Sequence, residues 1–245
     1  MDNSKPVPLD NVEHHDLRII AGQSAALGDA INQVRVFPNE FAEAQREYPI
    51  FFRRNEQGAF YAIALLGFDR DENLFLDDKG WNARYIPATQ QRGPFILGLR
   101  PPSEDGDAAS SGPVILIDPN HARLSRSEGE PIFLPHGGNT PVLERHLQVM
   151  RIIHQGIASN DAVFAAFMDA GILAPIKVEV RIDDQQGYNI PDLFSVSGEA
   201  LAKLDGEALA RLNKSGFLAL AFQAVASVAN LQHLITLKNR KRREA

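Results

Sequence analysis

Two adjacent histidines and an aspartate near the start of the chain, His14-His15-Asp16, have the types and spacing of metal ligands. His14 and Asp16 form the His-x-Asp pattern with which many iron(II) oxygenases begin a face of two histidines and one carboxylate. Such a centre also needs a distant histidine, and four are available: His121, His136, His146 and His154. The sequence therefore leaves open an iron(II)-dependent oxygenase built on His14 and Asp16, with a capping or hydrogen-bonded histidine as the simpler interpretation.

A short segment with five acidic residues begins with the spacing of a calcium loop. Asp69, Asp71 and Asn73 occupy the first, third and fifth positions of an EF-hand. The sixth position must be Gly and the twelfth a bidentate Glu, but here they are Leu74 and Gly80. Because the pattern fails at both diagnostic positions, we interpret these acids as solvated turns around a short strand.

Aromatic and arginine side chains follow that segment and have the composition of a recognition surface. They are Trp81, Arg84, Tyr85 and Arg92, and Trp81 is the only tryptophan in the chain. Tryptophan, tyrosine and arginine are the residues that most often anchor interfaces. Core packing and pairing with nearby carboxylates use the same residue types. We predict a binding surface at these four residues and keep a structural role as the alternative.

Motifs for nucleophilic catalysis and nucleotide binding are missing from the sequence. It has no G-x-S-x-G elbow, no G-x-G-x-x-G and no Walker loop, and the "HGGN" of residues 136–139 lacks the serine elbow that accompanies an oxyanion loop. The chain has no cysteine, which excludes thiolate zinc sites, iron–sulfur clusters and cysteine nucleophiles. We therefore assign no catalytic residue and no cofactor.

Composition and charge are those of an ordinary globular protein that is poorly suited to binding nucleic acid. Of 245 residues, 44% are hydrophobic and 23% charged, and the net charge of −6 disfavours contact with phosphate backbones. The start of the chain lacks the basic and apolar regions of a secretory signal, so we expect a cytoplasmic protein. The most apolar segment, residues 216–237, carries polar residues in its second half. We expect a helix there that is buried within the fold or against a second copy of the chain, rather than a transmembrane segment.

The hydrophobic pattern changes along the chain from that of strands to that of helices. In the first half, "YPIFFRR" and "AFYAIALLGF" flank the turn "NEQG" and predict a hairpin. From Val142, apolar residues recur at three- and four-residue spacing, which predicts one or two helices with a break between 156 and 161. Further on, Asp205 is a suitable helix N-cap and Gly216 a suitable helix stop.

These elements predict an α+β fold, organised as a single compact domain or two packed halves. An N-terminal lead covers residues 1–14, and a main domain covers 15–237. Within it, 15–135 is β-rich and 142–237 is mainly helical with a strand near 176–182. Residues 101–112 and the basic tail 238–245 have almost no apolar side chains, so we expect both to be mobile and solvated.

Several phrases occur together in an order that is similar to one family of bacterial proteins. They are "HHDLRI", "EYPIFF", "AIALLGF", "ENLFLDDKGWNARYIPA", "GPFILGL", "LIDPNHARLS" and "KLDGEALARLNKSGFLALAFQAVASVANLQHL". The sequence resembles the SapC family over residues 6–237, most specifically in the tryptophan segment and the closing helices. A permease of peptide transporters has the same label, but this chain lacks the several membrane spans of such a permease.

The resemblance implies a general role rather than a reaction. The family name comes from bacterial surface layers, and members occur in gene neighbourhoods with outer-membrane receptors and flavin-dependent halogenase-like proteins. It transfers no catalytic residue to this sequence. We therefore expect a non-catalytic accessory or binding protein linked to cell-surface or outer-membrane receptor systems. Its partner would be a protein or small molecule, and the 217–237 helix would allow a homo-oligomer.

Overall fold

The architecture is α+β, as predicted, with a β-rich first half and helices concentrated in the second half. It was obtained as a computed structural model that describes residues 5–99, 113–183 and 187–244. The predicted mobility of residues 101–112 concerns a segment outside these ranges. The strands are β1 (Val7–Pro8), β2 (Arg18–Ile19), β3 (Gln33–Val36), β4 (Ile50–Arg54), β5 (Phe60–Leu65), β6 (Leu76–Asp77), β7 (Gly80–Trp81), β8 (Phe95–Leu99), β9 (Pro113–Ile117), β10 (Leu124–Ser125), β11 (Glu130–Pro131), β12 (Leu173–Arg181) and β13 (Gly187–Val196).

The α-helices alternate with these strands early in the chain and follow them at its end. They are α1 (Phe41–Ala44), α2 (Ala88–Gln91), α3 (Pro141–Asp169), α4 (Gly198–Ala202), α5 (Gly206–Lys214), α6 (Phe217–Ser227) and α7 (Asn230–Glu244). Two short 3-10 helices, Ala25–Leu27 and Pro38–Glu40, precede α1. Asp205 caps α5 by accepting a hydrogen bond from the Ala208 amide at 2.7 Å, and Gly216 has the positive φ of +77° that ends this helix, as the sequence predicted.

A five-stranded antiparallel sheet in the order β12-β13-β4-β5-β3 forms the largest β layer. The predicted hairpin is confirmed, since β4 pairs with β5 and Phe52 lies opposite Ala62. Asn55 closes its turn by accepting hydrogen bonds from the amides of Gln57 and Ala59. The predicted strand at 176–182 lies within β12 except for its last residue. The smaller sheets have the orders β1-β9-β8, β10-β2-β11 and β6-β7.

Helix α3 is a single 29-residue helix that runs through the predicted break. The sequence suggested an interruption because Gly156 disfavours helix interiors. In the fold, Gly156 is buried, and a Cβ atom there would lie 2.3 Å from Phe37 Cβ. The glycine therefore permits close packing of α3 on the segment that contains Phe37, and the tertiary contact overrides the local helix propensity.

Helix α3 also joins two hydrophobic cores. Its second half, which includes Phe164 and Phe167, packs into a large core with the five-stranded sheet and the C-terminal helices. Its first half, which includes Met150 and Ile153, packs into a smaller core with residues of β2, β8 and β9. The functional surfaces described below lie beside these two cores, one at each.

The apolar C-terminal segment differs from its predicted form. It is two helices, α6 and α7, separated at Val228 and Ala229. Of the residues that the structure describes, only Phe217–Glu244 is long and apolar enough to cross a membrane by length and composition, and 22% of its most apolar window is buried. Within the single chain Phe222 is 55% exposed, so the fold itself does not bury this ring.

Candidate functional site

A cleft with polar and apolar walls lies where β2, α2 and α3 approach one another. Its volume is about 240 Å³. Val142, His146 and Val149 line it from α3, because residues three to four positions apart share one face of a helix. Ile19 of β2 and Ile86 before α2 complete the apolar part of the wall.

A buried ion pair forms the inner polar wall of this cleft. Arg123 lines the cleft and is 6% exposed, while Asp29 is completely buried. Arg123 Nη2 donates to both Asp29 carboxylate oxygens, at 2.9 and 2.7 Å. Arg123 Nη1 donates to the Gly22 carbonyl at the end of the β2 segment. The pair therefore joins parts of the chain that are 94 residues apart and fixes the position of the guanidinium.

Additional hydrogen bonds hold the Asp29 carboxylate in place. The Ser24 amide donates to Asp29 Oδ2 at 2.7 Å, and Gln90 Nε2 of α2 donates to Oδ1 at 2.5 Å. Asn73 Nδ2 donates to the Asp29 carbonyl oxygen at 3.0 Å. A buried carboxylate with this many donors is well compensated, so the wall is rigid.

His146 supplies unused hydrogen-bonding capacity at the same cleft. Its Nδ1 is buried and has no hydrogen-bond partner among the described residues. Burial lowers the pKa of His146, although the carbonyl groups of Gln91 and Arg92 act in the opposite direction. Burial therefore favours the neutral form of the imidazole. Its ring packs against Phe95 with centroids 5.0 Å apart, which fixes its orientation.

Gly93 lies between the two polar groups of the cleft. Its φ of +58° is in the left-handed region, which favours glycine. A Cβ atom at this position would lie 3.5 Å from Arg123 Cδ and 3.6 Å from His146 Cε1. The turn after α2 therefore comes close to both side chains without covering them.

A second charged pair lies at the mouth of the cleft. Arg145 Nη2 is 4.0 Å from Glu130 Oε1, and the two side chains are 64% and 57% exposed. Solvent screens such a pair, so each partner remains available to a ligand. Counting Arg123 and the buried Asp29 behind it, two cations and two carboxylates lie at or behind the walls of the cleft, together with the His146 imidazole. These charges favour a ligand with no net charge.

Comparison with known proteins identifies the family. The SapC family model matches residues 9–234. The chain belongs to the SapC family. No curated protein and no solved structure matches it. The cleft of this SapC-family chain, formed by residues between 19 and 149, lies within the matched region.

Two of the four residues predicted to form a binding surface in this SapC-family chain lie in a hydrogen-bonded network. Trp81 is buried, and its Nε1 donates to Tyr48 Oη at 2.9 Å. Tyr48 Oη in turn donates to the Tyr85 carbonyl. Tyr85 Oη donates to Glu40 Oε1 at 2.6 Å, and burial raises the pKa of the Glu40 carboxyl. This geometry gives Trp81 and Tyr85 a structural position beside the large core.

The other two predicted residues lie apart from this network. Arg84 is exposed, with its Nε 3.9 Å from Glu47 Oε1. Arg92 is half-buried directly before Gly93, so it lies beside the cleft, and burial lowers the pKa of its guanidinium while Asp118 opposes this effect. The four residues do not converge on one pocket. A partner-binding role for them stays a prediction.

The residues of the alternative iron site are engaged in local contacts. The buried His14 accepts a hydrogen bond at Nδ1 from the Asp10 amide at 3.0 Å. Arg126 donates to the Asp16 carboxylate and lowers its pKa. Among the described residues, no three His, Cys, Asp or Glu side chains come together as metal ligands do. The geometry therefore gives the oxygenase hypothesis no third ligand.

The acidic segment has a structural role that the sequence interpretation missed. Lys238 Nζ lies 2.6 Å from Asp69 Oδ2 and 2.8 Å from Glu72 Oε1. Glu72 and Asn73 are buried rather than solvated, and Lys238 is 6% exposed. The prediction of a solvated tail from residue 238 is therefore wrong for Lys238, which this loop holds, whereas residues 240–244 are exposed and continue α7 to Glu244.

Sequence reasoning did not identify the residues that build the cleft. Gln90, Arg123 and His146, and Asp29 behind Arg123, come from four separate segments, and no catalytic or binding motif joins them. His146 was considered only as a third iron ligand. The signal in the sequence that could have pointed to this cleft is Gly93, since a glycine often marks a place where the backbone comes close to other groups.

Proposed function

We propose that this SapC-family chain is a non-catalytic binding protein whose cleft holds a compact zwitterion with an apolar side chain, such as a free α-amino acid. The observation that carries this proposal is the Arg145–Glu130 pair at the mouth of a cleft with aliphatic walls. A ligand carboxylate would bind Arg145, and a ligand ammonium would bind Glu130. Its apolar part would lie against Ile19, Ile86 and Val142.

The size of the cleft supports a small ligand. Its volume of about 240 Å³ is below the roughly 300–1,000 Å³ of sites for drug-sized molecules. A nucleotide or an extended cofactor is therefore too large for it in this conformation. An amino acid with an aliphatic or aromatic side chain has an appropriate size.

The charge arrangement distinguishes a zwitterion from a simple anion. Arg123 cannot offer a free positive charge, because Asp29 neutralises it inside the wall. An anion would meet Glu130 beside Arg145, and a cation would meet Arg145 beside Glu130. A ligand with both charges satisfies both side chains and avoids like-charge repulsion.

The lining residues favour binding over catalysis. None of the side chains that line the cleft is a serine, threonine, tyrosine or lysine, so hydroxyl and amine nucleophiles are missing there. The Asp29 carboxylate is committed to Arg123 and cannot act on a ligand. The role of His146 in this proposal is to form a hydrogen bond with the ligand.

The accessory role in cell-surface or outer-membrane receptor systems rests on family membership. A small-ligand site is compatible with that role, because an accessory protein can respond to the ligand that a receptor system handles. Ligand binding and partner binding would then be separate properties of one chain. The cleft can be tested without knowing the partner.

Isothermal titration calorimetry with three probes of the same apolar body tests this proposal. L-leucine carries both charges, 4-methylpentanoate only the carboxylate, and 3-methylbutylamine only the ammonium. We expect L-leucine to bind and each singly charged analogue to bind about 10-fold or more weakly, since each loses one charge-assisted contact. L-phenylalanine is included to test whether the apolar part of the cleft accepts a larger side chain.

Variants at the mouth of the cleft provide the matched controls. Arg145→Ala should weaken L-leucine binding by about 10-fold or more, and Arg151→Ala, an exposed arginine on another face of α3, should not. The proposal is wrong if neither amino acid binds the native protein. It is also wrong if Arg145→Ala and Arg151→Ala bind L-leucine equally well.

A further inference from the structure

The outward face of α6 is an apolar surface that the fold leaves open. Ala219, Phe222, Ala226 and Ala229 are exposed, and they recur at three- and four-residue spacing. Phe222 is the most exposed aromatic side chain among the large hydrophobic residues on the surface, at 55%. An exposed helical stripe of this kind indicates an interaction site rather than a random surface.

The opposite face of α6 fixes this orientation. Ala221 and Ala224 are completely buried, and the helix packs against α1, α5 and β13. Ser227 Oγ accepts a hydrogen bond from the Ile50 amide at 3.0 Å. Because the inner face is bound to the core in this way, α6 cannot rotate to bury Phe222 within the same chain.

We propose that the outward face of α6 forms a two-fold interface with a second copy of this chain, with the two α6 helices antiparallel. Phe222 is the middle residue of Phe217–Ser227, so a two-fold axis beside it brings the two Phe222 rings together. The same axis places Ala219 of one copy opposite Val225, next to Ala226, of the other. The two alanines leave room for the rings between the helices.

Charge on this surface favours a second copy over an anionic lipid surface. No Asp, Glu, Lys or Arg occurs between Lys214 and Lys238, so two copies of the face meet without like-charge repulsion. The net charge of −6 opposes binding to an anionic membrane. Lys241 and Arg242 of α7 pair with Glu72 and Asp183 within the chain. The face itself is uncharged, so two copies of it can meet without an electrostatic cost.

The available area sets the strength of the dimer. Helices α6 and α7 together are about 40 Å long and 10–12 Å wide with side chains. The area of this strip is about half of the ~800 Å² that each partner buries in a standard interface. An adjoining cavity of about 350 Å³, lined by Pro175, Ile176, Val225 and Val228, extends the apolar surface. Gln232 and Thr236 of α7 are exposed and would form a polar rim. A dimer that dissociates on dilution is the expected state.

Sedimentation velocity over a concentration series tests this inference. We expect the native chain to change from monomer to dimer within roughly 1–100 μM. Phe222→Glu should weaken the dimer on the order of 100-fold or more, because each dimer loses two aromatic anchors and gains two facing charges. Ile157→Glu is the matched control, since Ile157 is 49% exposed on α3 and is not part of the outward face of α6, and this variant should dimerise like the native chain.

Other results of these experiments would overturn the dimer or assign the outward face of α6 to a different partner. A native chain that stays monomeric at 100 μM overturns the proposal, as does a Phe222→Glu chain that dimerises normally. Flotation with vesicles of phosphatidylcholine and phosphatidylglycerol is measured in parallel, and Phe222-dependent binding to them by a monomer would assign the face to lipid. Thermal unfolding of dilute Phe222→Glu should match the native monomer, which shows that the loss of the dimer is not a loss of folding.

Discussion

Two buried ion clusters hold this fold together, and they differ in how completely water is excluded. The Arg123–Asp29 pair beside the cleft has side chains that are 7% and 0% exposed. The Lys238 cluster at α7 contains the buried Glu72, but the side chain of its second carboxylate, Asp69, is 54% exposed. Both clusters join segments that are far apart in sequence. Only the first is fully desolvated.

This difference in solvent access predicts how sensitive each cluster is to substitution. A fully buried pair leaves an uncompensated charge when one partner is removed, so its parts depend strongly on each other. A cluster with a solvated member can replace a lost contact with water. The wall of the cleft is therefore expected to be more sensitive to substitution than the attachment of α7.

The largest effect is expected for Arg123→Met, which leaves the Asp29 carboxylate buried without its cation. We expect a loss of about 3–5 kcal/mol in the free energy of unfolding, measured by urea denaturation. Arg145→Met, at an exposed arginine of the same cleft, is the control and should cost little. A loss below about 1 kcal/mol for Arg123→Met would show that the two clusters do not differ.

A smaller loss is expected for Lys238→Met. Glu72 stays buried, but Lys241 Nζ is 3.7 Å from its Oε1, and Asp69 can turn to solvent. We expect a cost of about 1–3 kcal/mol in the same urea assay. Lys241→Met, at an exposed lysine, should cost less. If Lys238→Met costs as much as Arg123→Met, solvent access at Asp69 has no protective effect.

The pH dependence of stability should show the contribution of Asp69 to the Lys238 cluster. Hydrogen bonding to Lys238 lowers the pKa of Asp69 below its ordinary value of 3.8, so its stabilising contribution is present above that value and lost as pH falls through the folded pKa. Because Asp69 is 54% exposed, solvent screening keeps this contribution below about 1 kcal/mol. Native protein and Asp69→Asn should differ in thermal stability at pH 6 and converge below pH 3. Equal stability at pH 6 would contradict the assignment.

The smallest effect is expected at an exposed pair near the same helix end. Arg242 Nη2 lies 2.5 Å from Asp183 Oδ2, with side chains 41% and 40% exposed. We expect Arg242→Ala to change the free energy of unfolding by less than about 0.5 kcal/mol, since exposed pairs contribute little. Thermal unfolding at low and high salt is the measurement. A large, salt-sensitive loss would mean that the short distance reflects a stronger attachment of α7.

The features predicted correctly from sequence depend on residues close together in the chain. The "NEQG" hairpin follows from alternating apolar residues and a turn closed by Asn55. The cap at Asp205 acts on an amide three residues away. The same local rules left open whether one or two helices follow Val142, because contact with Phe37 decides that Gly156 lies inside a single helix.

The sequence by itself determined the fold class, the family and the local elements, since hydrophobic period, capping and turn chemistry act within a few residues. Tertiary structure alone decided that Lys238 is buried, that Phe222 faces outward, and that Arg123 and His146 line one cleft. The partners of these residues come from remote segments, and no spacing rule connects Arg123 with Asp29 or Lys238 with Glu72. Burial and charge pairing are properties of the assembled chain, so they became visible only when the segments were brought together.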